Sequence, residues 1–183
     1  MLPNLYYRAG VMELGPLGEP GMRERMFGYM NGLSIAMVMS DARALIDFAD
    51  ADPAARPGSI GALGYCMSGQ FAINAAGTFP ERIAAAASLY GTFLVTDKAD
   101  SPHLMARKAK AELYIACAET DHWAPMEMVE ALKASLADQP LAEVEIYPGV
   151  EHGFAFPQRP AYNKAAAERH WERLVALYRR RLG

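Results

Sequence analysis

Hydrophobic and polar positions along this chain switch repeatedly between a helical and an extended period. Met37, Leu45 and Phe48 fall near helical spacing, predicting a helix over about Ser34 to Asp50 that Asp52-Pro53 closes. Ser59 to Gly64 is a short apolar run of strand type, and Met67 to Ala76 then reads as a helix stopped at Gly77 with Pro80 beyond. Ile83 to Tyr90 is a second apolar run of strand length, though Ala84 to Ala87 give it little β propensity of their own. Leu113 to Ala118 is a clearer strand, Pro125 to Leu136 a helix with proline in its first turn, and Val144 to Tyr147 a short strand stopped by Pro148-Gly149. Trp171, Leu174, Val175, Tyr178 and Leu182 form an apolar stripe on a closing helix. Before Ser34, glycines and prolines between Gly10 and Gly32 predict a loop-rich stretch. Strands alternating with helices imply an α/β fold, a mostly parallel sheet with helices on both faces.

Composition narrows the function. The 183 residues are 52% hydrophobic and 21% charged, with a net charge of -3, which suits a single soluble domain over 1–183. No basic stripe tracks phosphates, so nucleic acid is not an expected partner. No apolar run is long enough to span a membrane and the N-terminus has no signal-peptide pattern, so a cytoplasmic location is expected. Two cysteines, Cys66 and Cys117, make no disulfide framework and sit in no zinc-type spacing. Cys117 lies within a strand and reads as core.

Cys66 is different, because Gly64-Tyr65-Cys66-Met67-Ser68-Gly69 falls where a buried strand becomes a helix. Small neighbours there let strand and helix approach, and the helix N-terminus offers positive charge and N–H donors to a nucleophile. Taken alone, Cys66 reads equally as a buried small hydrophobe in a tight turn. Asp121 follows the strand ending at Ala118, and His152 follows the strand ending at Tyr147. The order is nucleophile, acid, histidine, each at the C-terminal end of its own strand, as in α/β-hydrolase triads. Asp121 could alternatively cap the helix near Pro125, and Glu119 is a neighbouring acid. His122 would share a loop with its own orienting acid, while His103 and His170 read as surface or loop histidines. Ser68 lies two residues into the helix, away from the apex where a nucleophile belongs.

These motifs, with Leu5-Tyr6-Tyr7-Arg8 near the start and His152-Gly153-Phe154, resemble the dienelactone hydrolase family, whose members are cysteine-dependent α/β hydrolases of carboxymethylenebutenolidase type. The resemblance implies cleavage of a small-molecule lactone or related ester through a thioester on Cys66, with His152 as base and Asp121 as orienting acid. It implies the Met67 backbone N–H as an oxyanion donor, Arg8, Tyr65, Phe154 and Phe156 as substrate contacts, and neither metal nor organic cofactor. Arg8 would end the first strand and meet a substrate carboxylate. Phe156 stands where the best-known branch has a second carboxylate-binding arginine, which points to a more apolar substrate. Asn4 replaces a common aspartate, with no consequence we can derive.

The resemblance also sets expectations about extent. The family's early strands, among them the one between the Tyr-Arg strand and the nucleophile strand, its second oxyanion-donor loop and an upstream acidic residue that tunes the thiol find no counterpart in the sequence, so a partial, N-terminally truncated domain is expected. Without a central strand, the Ser59–Gly64 strand would carry an unpaired edge, predicting aggregation or a homodimer through it. A missing oxyanion donor would weaken activity about 100-fold to 1,000-fold. A different class of reading is a catalytically silent fragment that self-associates.

Overall fold

A computed structural model of the chain describes residues 1–10, 15–16 and 18–183. The chain divides into two units, Met1–Arg56 and Pro57–Gly183.

In the first unit the Leu5–Arg8 segment is not a strand. The Asn4 Oδ1 accepts the Tyr6 N–H at 3.0 Å, an Asx turn that leads into a 3-10 turn over Tyr7–Ala9. Two helices follow, α1 (Met22–Asn31) and α2 (Ile35–Ala51). Helix α1 falls inside the stretch expected to be loop; its one interior glycine, Gly28, is tolerated and Gly32 follows its end. Residues 11–14 and 17 of that stretch lie outside the described residues. Helix α2 starts where the sequence places it, because Ser34 Oγ accepts the Met37 N–H at 3.2 Å as an N-cap. Its buried positions are Val38, Met39 and Ile46, and Phe48 is exposed.

The second unit is a four-stranded, all-parallel sheet in the order β1 (Ile60–Tyr65), β2 (Ile83–Leu89), β3 (Glu112–Thr120), β4 (Ala142–Glu151). Helices α3 (Met67–Thr78), α4 (Pro102–Ala106), α5 (Met126–Leu136) and α6 (Lys164–Leu182) connect and cover the strands. Sheet residues Ala85, Ala87, Leu89, Tyr114, Ala116 and Ala118 share one core with Leu174 and Leu177 of α6. The alternate residues face the other way, where a Cβ on Gly69 of α3 would meet Ser88 Oγ at 2.4 Å. Helices therefore lie on both faces, and the alanine run of β2 is wholly sheet: small side chains let helices approach both sides of a central strand.

Two boundaries and one helix face differ from the sequence expectation. Helix α3 runs through Gly77, whose missing side chain admits α4: a Cβ there would stand 2.2 Å from the Met105 carbonyl oxygen. Strand β4 continues through Pro148-Gly149, because β4 is the outer strand and a proline costs no ladder bond on its open side. The Gly149 N–H is taken up by Glu119 Oε2 at 2.8 Å. On α6 the buried face is Ala166, Ala167, His170, Leu174 and Leu177, while Trp171 and Val175 are exposed. The stripe is rotated from the predicted one because His170, expected on the surface, is fully buried.

Among the described residues β1 pairs only with β2. The last residue of β1 has its backbone satisfied locally: Ser68 Oγ accepts the Tyr65 N–H at 2.9 Å and donates to the Tyr65 carbonyl at 2.8 Å. No helix among the described residues is long and apolar enough to cross a membrane.

Candidate active site

Strand β1 hands the chain to α3 through a single residue. Cys66 has φ 53 and ψ -125, a conformation that costs an L-residue on the order of 1 to 3 kcal/mol and persists only where surroundings enforce it. The enforcement is visible: the Cys66 N–H donates to the Leu89 carbonyl at 3.0 Å, and its carbonyl accepts from Gly69 at 3.0 Å and Thr92 at 3.3 Å. Gly64 makes the turn possible, since a Cβ there would lie 2.1 Å from the Ser68 carbonyl oxygen. Gly64→Ala is therefore expected to cost at least about 3 kcal/mol in urea unfolding, as backbone cannot yield like a side chain. A variant as stable as the parent would contradict this account of the turn.

Asp121 sits one residue past β3 with its side chain fully buried. Its Oδ1 accepts the Trp123 and Ala124 N–H groups at 2.9 and 3.2 Å, which fixes the loop before α5 and locks the carboxylate plane. The other oxygen, Oδ2, is thereby aimed at His152 Nδ1, 2.7 Å away. Asp121 does not cap α5, whose N-cap is Pro125 with no side-chain bond; it fixes the loop before that helix with one oxygen and meets His152 with the other. Glu119 points elsewhere, to Gly149.

His152 sits one residue past β4, packed edge-on against the Tyr90 ring at 5.0 Å between centroids. Its second interaction partner is the half-buried Cys66 thiol. Burial lowers the affinity of His152 for a proton, but the hydrogen bonds and charges of Asp121 and Cys66 outweigh it and raise the pKa to about 9. Cys117 is buried within β3, and burial pushes its thiol up to about 12, which keeps it protonated and unreactive. His122 is exposed on the Trp123 ring, and His103 bonds Ser101 at 2.8 Å.

The remaining residues named from sequence divide. Met67 opens α3 beside Cys66. Tyr65 is half-buried with its ring 5.0 Å from that of Phe156, which is 40% exposed, so these two form an aromatic wall. Phe154 is not available to a ligand: it is fully buried, stacked on Tyr147 at 5.0 Å. Arg8 is not at a strand end, and its guanidinium makes a two-pronged ion pair with Asp41 at 2.8 and 2.7 Å within the first unit. Two further residues lie close to this site, of which Tyr90 carries no signal in the sequence and His170 reads there as a surface or loop histidine. Tyr90 carries a buried, unpartnered hydroxyl and a positive φ of 39, and His170 bonds Tyr65. Among the described residues no three His, Cys, Asp or Glu side chains group as a metal site would require.

Two histidines with opposite shifts set an expected pH dependence. His152 is raised, so its contribution to stability is complete below about 6.5 and is lost as pH climbs toward 9. His170 is lowered by burial, so its contribution is complete above about 6.5 and is lost as pH falls below that value. Urea unfolding should give maximal stability near pH 6.5, and Asp121→Asn should flatten the alkaline limb alone. Stability that holds level from pH 6.5 to 9 would contradict the His152 environment.

The comparisons with known proteins agree with this architecture. The family model described as the dienelactone hydrolase family matches residues 1–182. A Synechocystis protein provisionally named a carboxymethylenebutenolidase is 29% identical over 153 residues, 81% of this chain and 61% of its own length. An Escherichia coli K12 protein of the same provisional name is 26% identical over 184 residues, 97% of this chain and 65% of its own length. The chain thus spans less than two thirds of these relatives. A Klebsiella pneumoniae crystal structure provisionally named a dienelactone hydrolase superposes with a TM-score of 0.78 at 22% identity, covering 95% of this chain and 72% of that one.

Proposed function

The chain belongs to the dienelactone hydrolase family, and from that membership we propose that it hydrolyses a lactone or related carboxylic ester through a thioester on Cys66. The observation that carries the reading is the His152 ring held between the Asp121 carboxylate at 2.7 Å and the Cys66 thiol at the strained turn.

In the proposed reaction the Cys66 thiol proton passes first to His152 Nε2, the nitrogen not engaged by Asp121, in keeping with the raised proton affinity of that ring, and the Cys66 sulfur then attacks the substrate carbonyl carbon. The carbonyl oxygen takes the electron pair as an oxyanion facing the Met67 N–H at the start of α3. Collapse breaks the bond to the leaving oxygen, and His152 returns the proton to it; in a lactone that oxygen stays tethered and the ring opens. Water then attacks the thioester, gives its proton to His152, and the carbon–sulfur bond breaks to release the acid. Asp121 holds the Nδ1 proton throughout and stabilises the imidazolium.

The substrate class follows from the wall. Tyr65 and Phe156 present rings that favour an apolar acyl or alkoxy group, and Phe156 can make no bidentate bond to a carboxylate; Arg159 acts electrostatically on the neighbouring Tyr90. Hydrolysis of p-nitrophenyl acetate is expected to fall in proportion to alkylation by iodoacetamide, with the label on Cys66 and none on Cys117 at neutral pH. Full turnover with Cys66 alkylated would refute the proposal.

A further inference from the structure

A second histidine is bonded to the residue that precedes the nucleophile. His170 of α6 is fully buried, and its Nε2 stands 3.0 Å from the Tyr65 hydroxyl. Its Nδ1 faces the Ala167 carbonyl one turn earlier, short of good hydrogen-bond geometry. That placement puts the ring proton on Nδ1, leaving Nε2 as an acceptor, so the phenol donates. The Tyr65 backbone is held separately, through both its N–H and its carbonyl, by the Ser68 hydroxyl. Tyr65 is therefore fixed at two ends: the backbone by the turn that presents Cys66, the phenol by α6.

The Tyr65 ring has consequences for its neighbours. It contacts Phe156 at 5.0 Å and Tyr90 at 5.8 Å, and Tyr90 in turn packs against His152. One imidazole thus supports a row of rings that runs from the residue preceding Cys66 to the loop following His152. Removing the acceptor would leave a half-buried phenol without its partner, and such a group turns toward water at the expense of its packing. Turning the ring outward would dismantle the wall beside the thiol.

We propose that His170 is a positioning residue, whose imidazole accepts the Tyr65 phenol proton and thereby holds the aromatic wall that receives the apolar part of the ester. This inference rests on the ester-hydrolase reading of Cys66. The test compares His170→Phe, which keeps a buried ring but removes the acceptor, with His170→Gln, whose amide oxygen reaches the same place. The readouts are KM and kcat for p-nitrophenyl butyrate, normalised to titrated Cys66. In His170→Phe, KM rises about 5- to 10-fold, the loss of one hydrogen bond, with kcat within about twofold. In His170→Gln, KM stays within about twofold of the parent. An unchanged KM in His170→Phe overturns the proposal, as does an equal rise in both variants, which would mark simple repacking of α6. Should His170→Phe not fold, the ¹⁵N shifts of the parent ring decide: a neutral ring protonated at Nδ1 at pH 7 sustains the proposal, and one protonated at Nε2 overturns it. Parent turnover that survives alkylation of Cys66 is a separate result, removing the hydrolase reading and this inference with it.

Discussion

Replacing Cys66 with alanine is expected to lower ester turnover on the order of 10⁴-fold or more, with no loss of fold. Neither of the other candidates weighed from the sequence can take its place: Ser68 has its hydroxyl engaged in both directions by the Tyr65 backbone, and Cys117 is buried in β3. Residual rate would come only from binding and the oxyanion donor. Cys66→Gly sharpens the comparison. Glycine adopts a φ of 53 without the strain an L-residue bears there, so this variant should be inactive yet more stable by about 1 kcal/mol in urea unfolding. If Cys66 were only a small hydrophobe filling a turn, both truncations would destabilise and activity would survive. Opposite signs for activity and stability are the mark of a residue held in strain for its chemistry.

The second large effect is expected at Asp121. Asp121→Asn should lower kcat/KM by about 10³- to 10⁴-fold. The size follows from the loop. Oδ1 accepts two backbone N–H groups, so an asparagine there must keep its carbonyl oxygen toward Trp123 and Ala124 and turn its NH₂ toward His152. A donor then faces Nδ1, which drives the ring proton to Nε2, the position that must accept the thiol proton. The base is present but wears its proton on the wrong nitrogen. Glu119→Gln, which touches only the Gly149 N–H, should change kcat/KM less than about threefold, within the range of surface substitutions. Equal losses in the two variants, measured by initial rates on p-nitrophenyl acetate, would contradict the assignment of the acid.

How much of this was legible in the sequence depends on the range of the interaction involved. Cys66, Asp121 and His152 could be found because each follows a strand whose pattern is local, and parallel strands put their C-terminal ends at one edge of the sheet. The parallel order itself followed from alternation. What escaped depended on contacts between distant residues. His170 looked like part of a charged helix face, and only its bond to Tyr65, 105 positions away, makes its burial tolerable. Phe154 shares a motif with His152 but is fully buried, stacked on Tyr147. Leu5-Tyr6-Tyr7-Arg8 has the look of a strand that Arg8 ends, whereas Asn4 turns the chain and Asp41, in a helix, captures the guanidinium. The proline of β4 was read as a stop because its cost depends on whether a strand is internal or outer, which local pattern does not encode.

Intact mass measured on the protein quenched in acid during turnover of a slow ester tests the thioester on Cys66 most directly. The account predicts an acyl adduct that peptide mapping places on Cys66, that neutral hydroxylamine removes, and that is absent from Cys66→Ala. An adduct on Ser68, or undiminished turnover in Cys66→Ala, would contradict it.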